Sequence, residues 1–329
     1  MRIHFTTQDL ARTYVADGPD ALWELVNSVQ ALQSRYGQAA LGGWRQWAVR
    51  ELRRSAWAGP VRHRLFPIAP HASYFPDLLT PPEGALGVEA GVDAVVSTPR
   101  ARMRSEIGRL TGAAEQGRWL SDVAAGRPAA LRELATTMRG YFDVAVAPHW
   151  EAIRQRVAAD VSIRRAAAGA GAEKLLDSFR PVMRWTPPIL DLPQHPSRRD
   201  LHLDGRGLLL VPSFFCRLHP ITIFDPELPQ VVVYPIGRAP GVQQQEGRAA
   251  LHRLLGDTRA EVLLAAVGLT TGELARRLGV SAAVISHHTA ILRAVGLIIT
   301  VRSGGTARHA RSPLGDALVR DGVLETTRR

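Results

Sequence analysis

In the first part of the chain, apolar residues recur every three or four positions, and this spacing predicts amphipathic helices. The segment PDALWELVNSVQALQSRYG ends at Gly37 and carries one apolar helical face, formed by Leu22, Leu25, Val26, Val29 and Leu32. A longer helical pattern starts near Ala129 and continues past Pro148, where the missing backbone donor predicts a kink. We therefore expect the first 190 residues to be mainly helical.

The pattern changes to strands between residues 200 and 235. The segment LHLDGRGLLLVPSFF has apolar runs on both sides of Asp204-Gly205, which is a hairpin signal. A β-branched run, QVVVYP, follows it. The sequence thus predicts a mainly α fold of the α+β class, in which a small antiparallel β element follows the N-terminal helices.

Composition separates the chain into two regions. All twenty Phe, Trp and Tyr residues precede residue 235, and residues 235–247 are rich in Pro, Gly and Gln. This predicts an N-terminal domain, residues 1–240, and a C-terminal domain, residues 241–329. The net charge is +11, and the C-terminal region has twelve Arg against seven acidic residues. Nucleic acid is the main candidate partner for such a charge, and solubility alone is the alternative.

The C-terminal region contains the local signals of a helix-turn-helix. Thr270 and Glu273 have the spacing of a capping box at the start of a short helix. Gly279 suits the left-handed conformation that ends a helix, and Ser281 suits the start of the next one. We predict that this second helix covers residues 282–295.

Two adjacent histidines, His287 and His288, lie in the middle of this second helix. Neighbouring helical positions do not face each other, so the pair is poorly placed to bind one metal ion. On a helical wheel His288 falls at the centre of the apolar stripe, where we expect a structural histidine with a hydrogen-bond partner. Ser286 faces outward and His287 lies at the rim. The outward face consists of small residues, as close approach to a major groove requires.

After this helix, residues 297–311 predict two short strands around a turn at residues 303–306. Ser312 and Pro313 then begin a last helix. A basic hairpin that follows the second helix would form a wing. Its arginines and His309 would contact phosphates or the minor groove.

The whole segment of residues 249–319 resembles the winged-helix domain of the ArsR-type bacterial regulators. The stretches LLGDTRAEVLLA, ELARRLGVSAAVISHHTAILRAVGLI and SPLGDAL carry the resemblance, in this order. It implies a homodimer that binds double-stranded DNA and regulates transcription, as a repressor or as an activator. The N-terminus lacks the apolar core of a signal peptide, and Cys216 is the single cysteine, so we expect a cytoplasmic protein. Together with the outward positions of the helix, the resemblance gives these DNA-facing residues: Ser281, Ala282, Ala283, Ser286, His287, Ala290, Arg293, Arg302, Arg308 and Arg311.

The chain departs from many metal-sensing members of this group, because the helix TTGELARRLG has no cysteine pair. We therefore expect no metal and no other cofactor. The long N-terminal region is similar to that of some actinobacterial regulators, and we assign it to dimerisation, to sensing of a small-molecule effector, or to both. The sequence does not indicate where an effector would bind.

No catalytic motif is evident, since the sequence contains neither a Gly-x-Ser-x-Gly elbow nor a phosphate-binding glycine loop. We expect no enzymatic activity. An enzyme or a protein-docking module fused to a DNA-binding domain remains the alternative interpretation. No run of about 18 apolar residues occurs, so no membrane partner is expected.

Overall fold

The computed structural model describes residues 1–34, 36–110, 117–236, 251–303 and 306–322. It divides into two compact units, Met1–Ala239 and Pro240–Arg329, which we call the N-terminal unit and the C-terminal unit. In these described ranges, no helix is both long enough and apolar enough to cross a membrane.

The α-helices of the N-terminal unit precede residue 180. Their bounds are α1 Thr7–Ala11, α2 Ala21–Gln33, α3 Gln38–Arg54, α4 Ala58–Pro60, α5 Phe66–Ile68, α6 Val88–Val96, α7 Arg100–Ile107, α8 Arg118–Ala124, α9 Pro128–Tyr141, α10 Trp150–Ala168 and α11 Ala172–Asp177. The long helix predicted from Ala129 is present as α9 and α10. A π-helical turn and a 3-10 turn at Ala147–His149 join them, which confirms the irregularity predicted at Pro148.

Helix α2 is buried along most of its length, at residues 21–31. Asp20 caps its first turn by accepting hydrogen bonds from two backbone N–H groups, at 2.9 and 3.0 Å. The predicted apolar face is present, but the polar residues Glu24, Asn27 and Ser28 are buried as well. Helix α2 is therefore a central helix of the N-terminal unit and not an amphipathic surface helix.

The described strands of the N-terminal unit form two mixed sheets. Their bounds are β1 Arg2–His4, β2 Tyr14–Val15, β3 Arg184–Thr186, β4 Ile189–Asp191, β5 Asp200–His202, β6 Leu209–Ser213, β7 Ile221–Thr222 and β8 Val231–Pro235. The strand orders are β3-β4-β1-β5 and β2-β6-β8-β7. The two N-terminal strands β1 and β2 pair in parallel with β5 and β6, respectively.

The antiparallel hairpin predicted around Asp204-Gly205 is wrong. Strands β5 and β6, which flank this turn, belong to different sheets, and β6 pairs in parallel with both β2 and β8. The turn does have positive φ angles, 52° at Asp204 and 85° at Gly205, which the sequence signal reflects. Strands β5 and β6 pair instead with β1 and β2. These two strands have three and two residues, respectively, and are too short to show a periodic pattern in the sequence.

Buried carboxylates from the first 80 residues bind the segment of residues 205–225. Each accepts backbone N–H groups of this segment: Asp9 from Gly207, Glu24 from Phe214 and Phe215, and Asp77 from Phe224 and Asp225. A buried carboxylate is costly unless such donors satisfy it, and charge-assisted bonds of this kind are strong. These contacts therefore hold the late β segment on the helical part of the unit.

Glu24 is fully buried. Its Oε1 lies 2.6 Å from the backbone N of Phe214, and its Oε2 lies 3.0 Å from the backbone N of Phe215 and 3.1 Å from Ser213 Oγ. Burial raises the pKa of Glu24 to about 7, although these donors favour the charged form. Glu24 is thus partly protonated at neutral pH.

The C-terminal unit has a hydrophobic core of its own, to which Ala260, Leu263, Leu274, Ile285 and Leu292 belong. The bounds of its elements are α12 Asp257–Ala265, β9 Val267–Thr270, α13 Thr271–Leu278, α14 Ala282–Ala294, β10 Ile298–Ser303, β11 Thr306–Arg311 and α15 Pro313–Gly322. The sheet has the order β10-β11-β9, and both pairings are antiparallel. Helix α14 ends one residue before its predicted end.

The raised pKa of Glu24 predicts that this residue makes the protein less stable as pH rises from 4.5 to about 7. In this window the folded state keeps a proton that the unfolded chain has released, so deprotonation favours unfolding. We expect Glu24→Gln, which stays neutral, to show a flatter fall in the free energy of unfolding. Chemical denaturation of the full chain at about pH 5 and about pH 7 measures this difference. The prediction is contradicted if the free energy of unfolding changes by the same amount between these two pH values in the wild type and in Glu24→Gln.

Candidate nucleic-acid interface

Helices α13 and α14 form a helix-turn-helix whose predicted caps are present. Thr270 Oγ1 accepts a hydrogen bond from the backbone N of Glu273 at 3.2 Å, and the Glu273 carboxylate accepts one from the backbone N of Thr270 at 2.7 Å. Gly279 has a φ of 66° and ends α13 in the left-handed conformation. Ser281 Oγ accepts from the backbone N of Val284 and starts α14. The capping predictions are confirmed, and they define where α14 begins.

Helix α14 packs on the core through Ile285, Thr289 and Leu292, which are its buried residues. Its opposite face is exposed and is made mostly of small side chains. The exposed residues of the predicted DNA-facing set in and next to α14 are Ser281, Ala282, Ala283, Ser286, His287, Ala290 and Arg293. This face allows another molecule to come close to the helix backbone.

His288 does not lie at the centre of the packed face, and this prediction is wrong. The buried residues of α14 are displaced from it by roughly 70° on the helical wheel, while Val284 and Val295 are 37 % and 57 % exposed. His288 is half-buried, and its Nδ1 has no hydrogen-bond partner in the described residues. The predicted packed face did not include Thr289, because threonine is polar. Its hydroxyl donates to the Ile285 carbonyl at 2.9 Å, so the side chain can be buried.

His309 connects the β10–β11 hairpin to the start of α13. Its imidazole is 4 % exposed and forms hydrogen bonds with Thr271 Oγ1 and Thr300 Oγ1, both at 3.0 Å. Burial lowers the pKa of His309, and the charge of Arg293 lowers it further. A buried neutral imidazole is unsuited to phosphate contact, so the role predicted for His309 at the DNA is replaced by a structural one.

Arg311 is also a structural residue. Its side chain is only 9 % exposed, and its Nε lies 2.8 Å from Asp316 Oδ1 in α15. Its Nη1 donates to the carbonyl of Leu264 at 2.8 Å. These contacts join β11 to the end of α12 and to α15. We therefore remove Arg311 from the DNA-facing set.

Arg308 keeps the surface position that the sequence predicts. Its side chain is 59 % exposed, and its Nη1 lies 3.9 Å from the Glu273 carboxylate. The same Nη1 donates to the carbonyl of Gly268 at 3.1 Å. Arg302 lies in β10, but its side chain is outside the described residues. Among the described side chains of the predicted hairpin arginines, that of Arg308 is therefore the exposed one.

The sequence analysis missed Arg276 and Arg277. Both are exposed in the last turn of α13, the first helix of the helix-turn-helix. The signal was available in the sequence, since Leu274 and Leu278 fix the inward face of α13 and leave these arginines outward.

Residues 261–300, which run from α12 through the helix-turn-helix into β10, match the sequence model of the family described as bacterial regulatory protein, arsR family. They form an ArsR-family regulator domain. No curated protein and no solved structure matches the chain significantly. The matched range lies in the C-terminal unit, so the comparison does not characterise the N-terminal unit.

In the described parts of both units, no group of three or more His, Cys, Asp or Glu side chains is arranged to hold a metal ion. His252 is bonded to two carboxylates, Asp257 Oδ1 and Glu261 Oε1, both at 2.8 Å. This contact holds the residues before α12 against that helix.

Different roles for Arg311 and Arg308 predict different effects of mutation on the stability of the C-terminal unit. We expect Arg311→Ala to cost about 1.5–3 kcal/mol, because it removes the charge-assisted bonds to Asp316 and to the carbonyl of Leu264. Arg308→Ala should change the stability by about 0.5 kcal/mol or less, as exposed charges usually do. Denaturation of the full chain followed by far-UV circular dichroism measures both. Equal losses would show that the two arginines are not divided in this way.

Proposed function

We propose that the protein is a sequence-specific DNA-binding regulator of transcription. The exposed face of small residues on α14 carries this proposal. Solvated helix faces usually display Glu and Lys, whereas Ala282, Ala283, Ser286 and Ala290 keep the surface low and almost uncharged. A recognition helix needs such a face to place its backbone close to base edges in the major groove.

In this proposal α14 is the recognition helix, and its polar side chains read bases. Ser286 and His287 are exposed and offer a hydroxyl and an imidazole to base edges. The Ser281 hydroxyl already caps α14, so we assign its backbone to the contact rather than its side chain. Arg276 and Arg277 take up phosphate contacts, because the first helix of such motifs crosses the DNA backbone.

The β10–β11 hairpin is the proposed wing. Arg308 is its exposed cation, and its contact with Glu273 at 3.9 Å is a weak surface pair that a phosphate can replace. Arg302 remains in the proposed wing set, and Arg293 at the end of α14 remains in the proposed DNA-facing set. Phosphate contacts of this kind fix the position of the protein on DNA without reading sequence.

We further propose that the protein acts as a cytoplasmic homodimer and represses transcription by occupying its operator. One recognition helix reads few base pairs, and a twofold dimer places a second one on the next half-site. We propose a binding role and no catalytic role for the N-terminal unit. In support of this, its buried acids Glu24 and Asp77 are occupied by backbone amides and are not free to transfer protons to a substrate.

Substitutions at His287 and Arg308 should separate base reading from phosphate contact. We expect His287→Ala to weaken operator binding by about 1–3 kcal/mol and to relax the preference at one base pair. Arg308→Ala should weaken binding to all sequences and reduce the salt slope by roughly one unit. Both effects are measured by gel-shift titrations at several salt concentrations. The titrations use random duplexes and an operator obtained by selecting binding sites from random duplexes. Arg253→Ala, at an exposed arginine before α12, is the matched control and should bind normally. A uniform loss in His287→Ala across all duplexes would contradict its assignment to base reading.

The dimer proposal predicts a palindromic operator. Half-sites should lie about one helical turn, or a multiple of it, apart. Selection of binding sites from random duplexes gives the operator, and sedimentation of the free and DNA-bound protein gives the stoichiometry. A monomer in both states would overturn the proposal of a dimer.

A further inference from the structure

The N-terminal unit contains a cavity of about 370 Å³ beside the second half of α2. Loop residues within 71–77, 195–199 and 215–224 form most of its remaining wall. Its volume lies in the range of small-molecule sites in proteins. Aromatic rings contribute much of the wall: Tyr36, Tyr74, Phe75, Phe215 and Phe224. The cavity is therefore suited to a flat, mostly apolar ligand.

Two guanidinium groups, Arg199 and Arg217, and one carboxylate, Asp77, line the cavity, so its wall has an excess of positive charge. Arg199 donates to two backbone carbonyls at 2.6 and 2.7 Å, and Arg217 donates to the carbonyl of Ile236 at 3.1 Å. The Nε atoms of both are shielded from solvent and have no hydrogen-bond partner in the described residues. Each guanidinium is also attracted by one carboxylate, Arg199 by Asp77 and Arg217 by Glu24. Asp77 also lines the cavity, but its carboxylate is occupied by backbone amides. The cavity therefore favours an anionic group.

The cavity histidines add no charge at neutral pH. Burial lowers the pKa values of His71, His195 and His219, that of His195 to about 4. His219 Nδ1 donates to the carbonyl of Pro220 at 3.0 Å, which leaves its Nε2 as an acceptor. The anionic group of a ligand would therefore bind the arginines, and the histidines remain neutral polar contacts.

Asn27 provides a buried acceptor that lacks a donor. It is 3 % exposed, it lines the cavity, and its Oδ1 has no hydrogen-bond partner. Its Nδ2 donates to Ser213 Oγ at 3.0 Å, and the Ser213 hydroxyl donates in turn to the Glu24 carboxylate. When Glu24 is ionised, its carboxylate takes the Ser213 proton, so the Asn27 amide presents its NH₂ group to Ser213. Its Oδ1 is then left for a donor from elsewhere, and an unpaired buried acceptor is costly.

We propose that this cavity binds a small aromatic carboxylic acid that carries a hydroxyl group. The ring packs among the aromatic side chains, the carboxylate binds Arg217 and Arg199, and the hydroxyl donates to Asn27 Oδ1. The inference goes beyond the proposed DNA-binding function and does not rest on it. It gives the N-terminal unit a ligand of defined chemistry.

Calorimetric titration of the full chain tests this with three matched probes: 6-hydroxy-2-naphthoate, 2-naphthoate and 2-naphthol. We expect the hydroxy acid to bind most tightly, the acid without hydroxyl more weakly, and the neutral naphthol weakest. Arg217→Gln should weaken both acids by roughly tenfold or more, the usual loss for a charge-assisted bond, and leave naphthol unchanged. Asn27→Leu should bring the two acids to similar affinity without affecting 2-naphthoate.

Two further variants keep the test decisive. Arg154→Gln removes an exposed arginine of α10 that does not line the cavity and should bind all probes normally. Ser73→Trp places a bulky ring at an exposed position of the cavity wall and should block the acids even if Arg217→Gln does not fold. The proposal is overturned if the folded wild type binds neither acid at millimolar concentration, or if naphthol binds as tightly as the acids. Gel shifts on the same samples report DNA binding separately, so failure of one function is not confused with failure of the other.

Discussion

The N-terminal unit depends on the burial of carboxylates against backbone amides. Glu24 and Asp77 come from the helical part of the chain and bind amides at residues 214–215 and 224–225, respectively. A carboxylate is buried at acceptable cost only when its lone pairs are satisfied, so these contacts fix the loops they bind. The same loops form a large part of the cavity wall. The shape of the cavity therefore depends on the hydrogen bonds that Glu24 and Asp77 accept from the backbone amides of these loops.

Some polar groups in the cavity wall lack hydrogen-bond partners, whereas the buried acids nearby have theirs. Acids near the cavity have their donors, whereas Arg199, Arg217 and Asn27 each keep a buried atom without a partner. Buried polar groups in folded proteins are nearly always paired, and an exception calls for an explanation. The ligand we propose, an anion with a hydroxyl group, would supply hydrogen-bond partners for these three residues.

In the C-terminal unit, two arginines of strand β11 have different roles. Arg311 joins the hairpin to α12 and α15, while Arg308 three residues earlier stays exposed. His309, between them in the same strand, is buried against two threonine hydroxyls. The hairpin is thus held by polar contacts along its inner side, while Arg308 stays exposed for the DNA contact we propose.

The sequence by itself determined the features that depend on residues within about four positions of each other. The capping box of Thr270 and Glu273, the left-handed Gly279 and the Ser281 cap are such features, because each bond joins near neighbours along the chain. The tertiary structure alone decided the rest. Glu24 accepts a hydrogen bond from the backbone N of Phe215, which is 191 residues later in the sequence. Strands β5 and β6 do not pair with each other and instead pair with the N-terminal strands β1 and β2. The exposure of His288 and the burial of Arg311 likewise depend on what packs against them, and no local pattern records that.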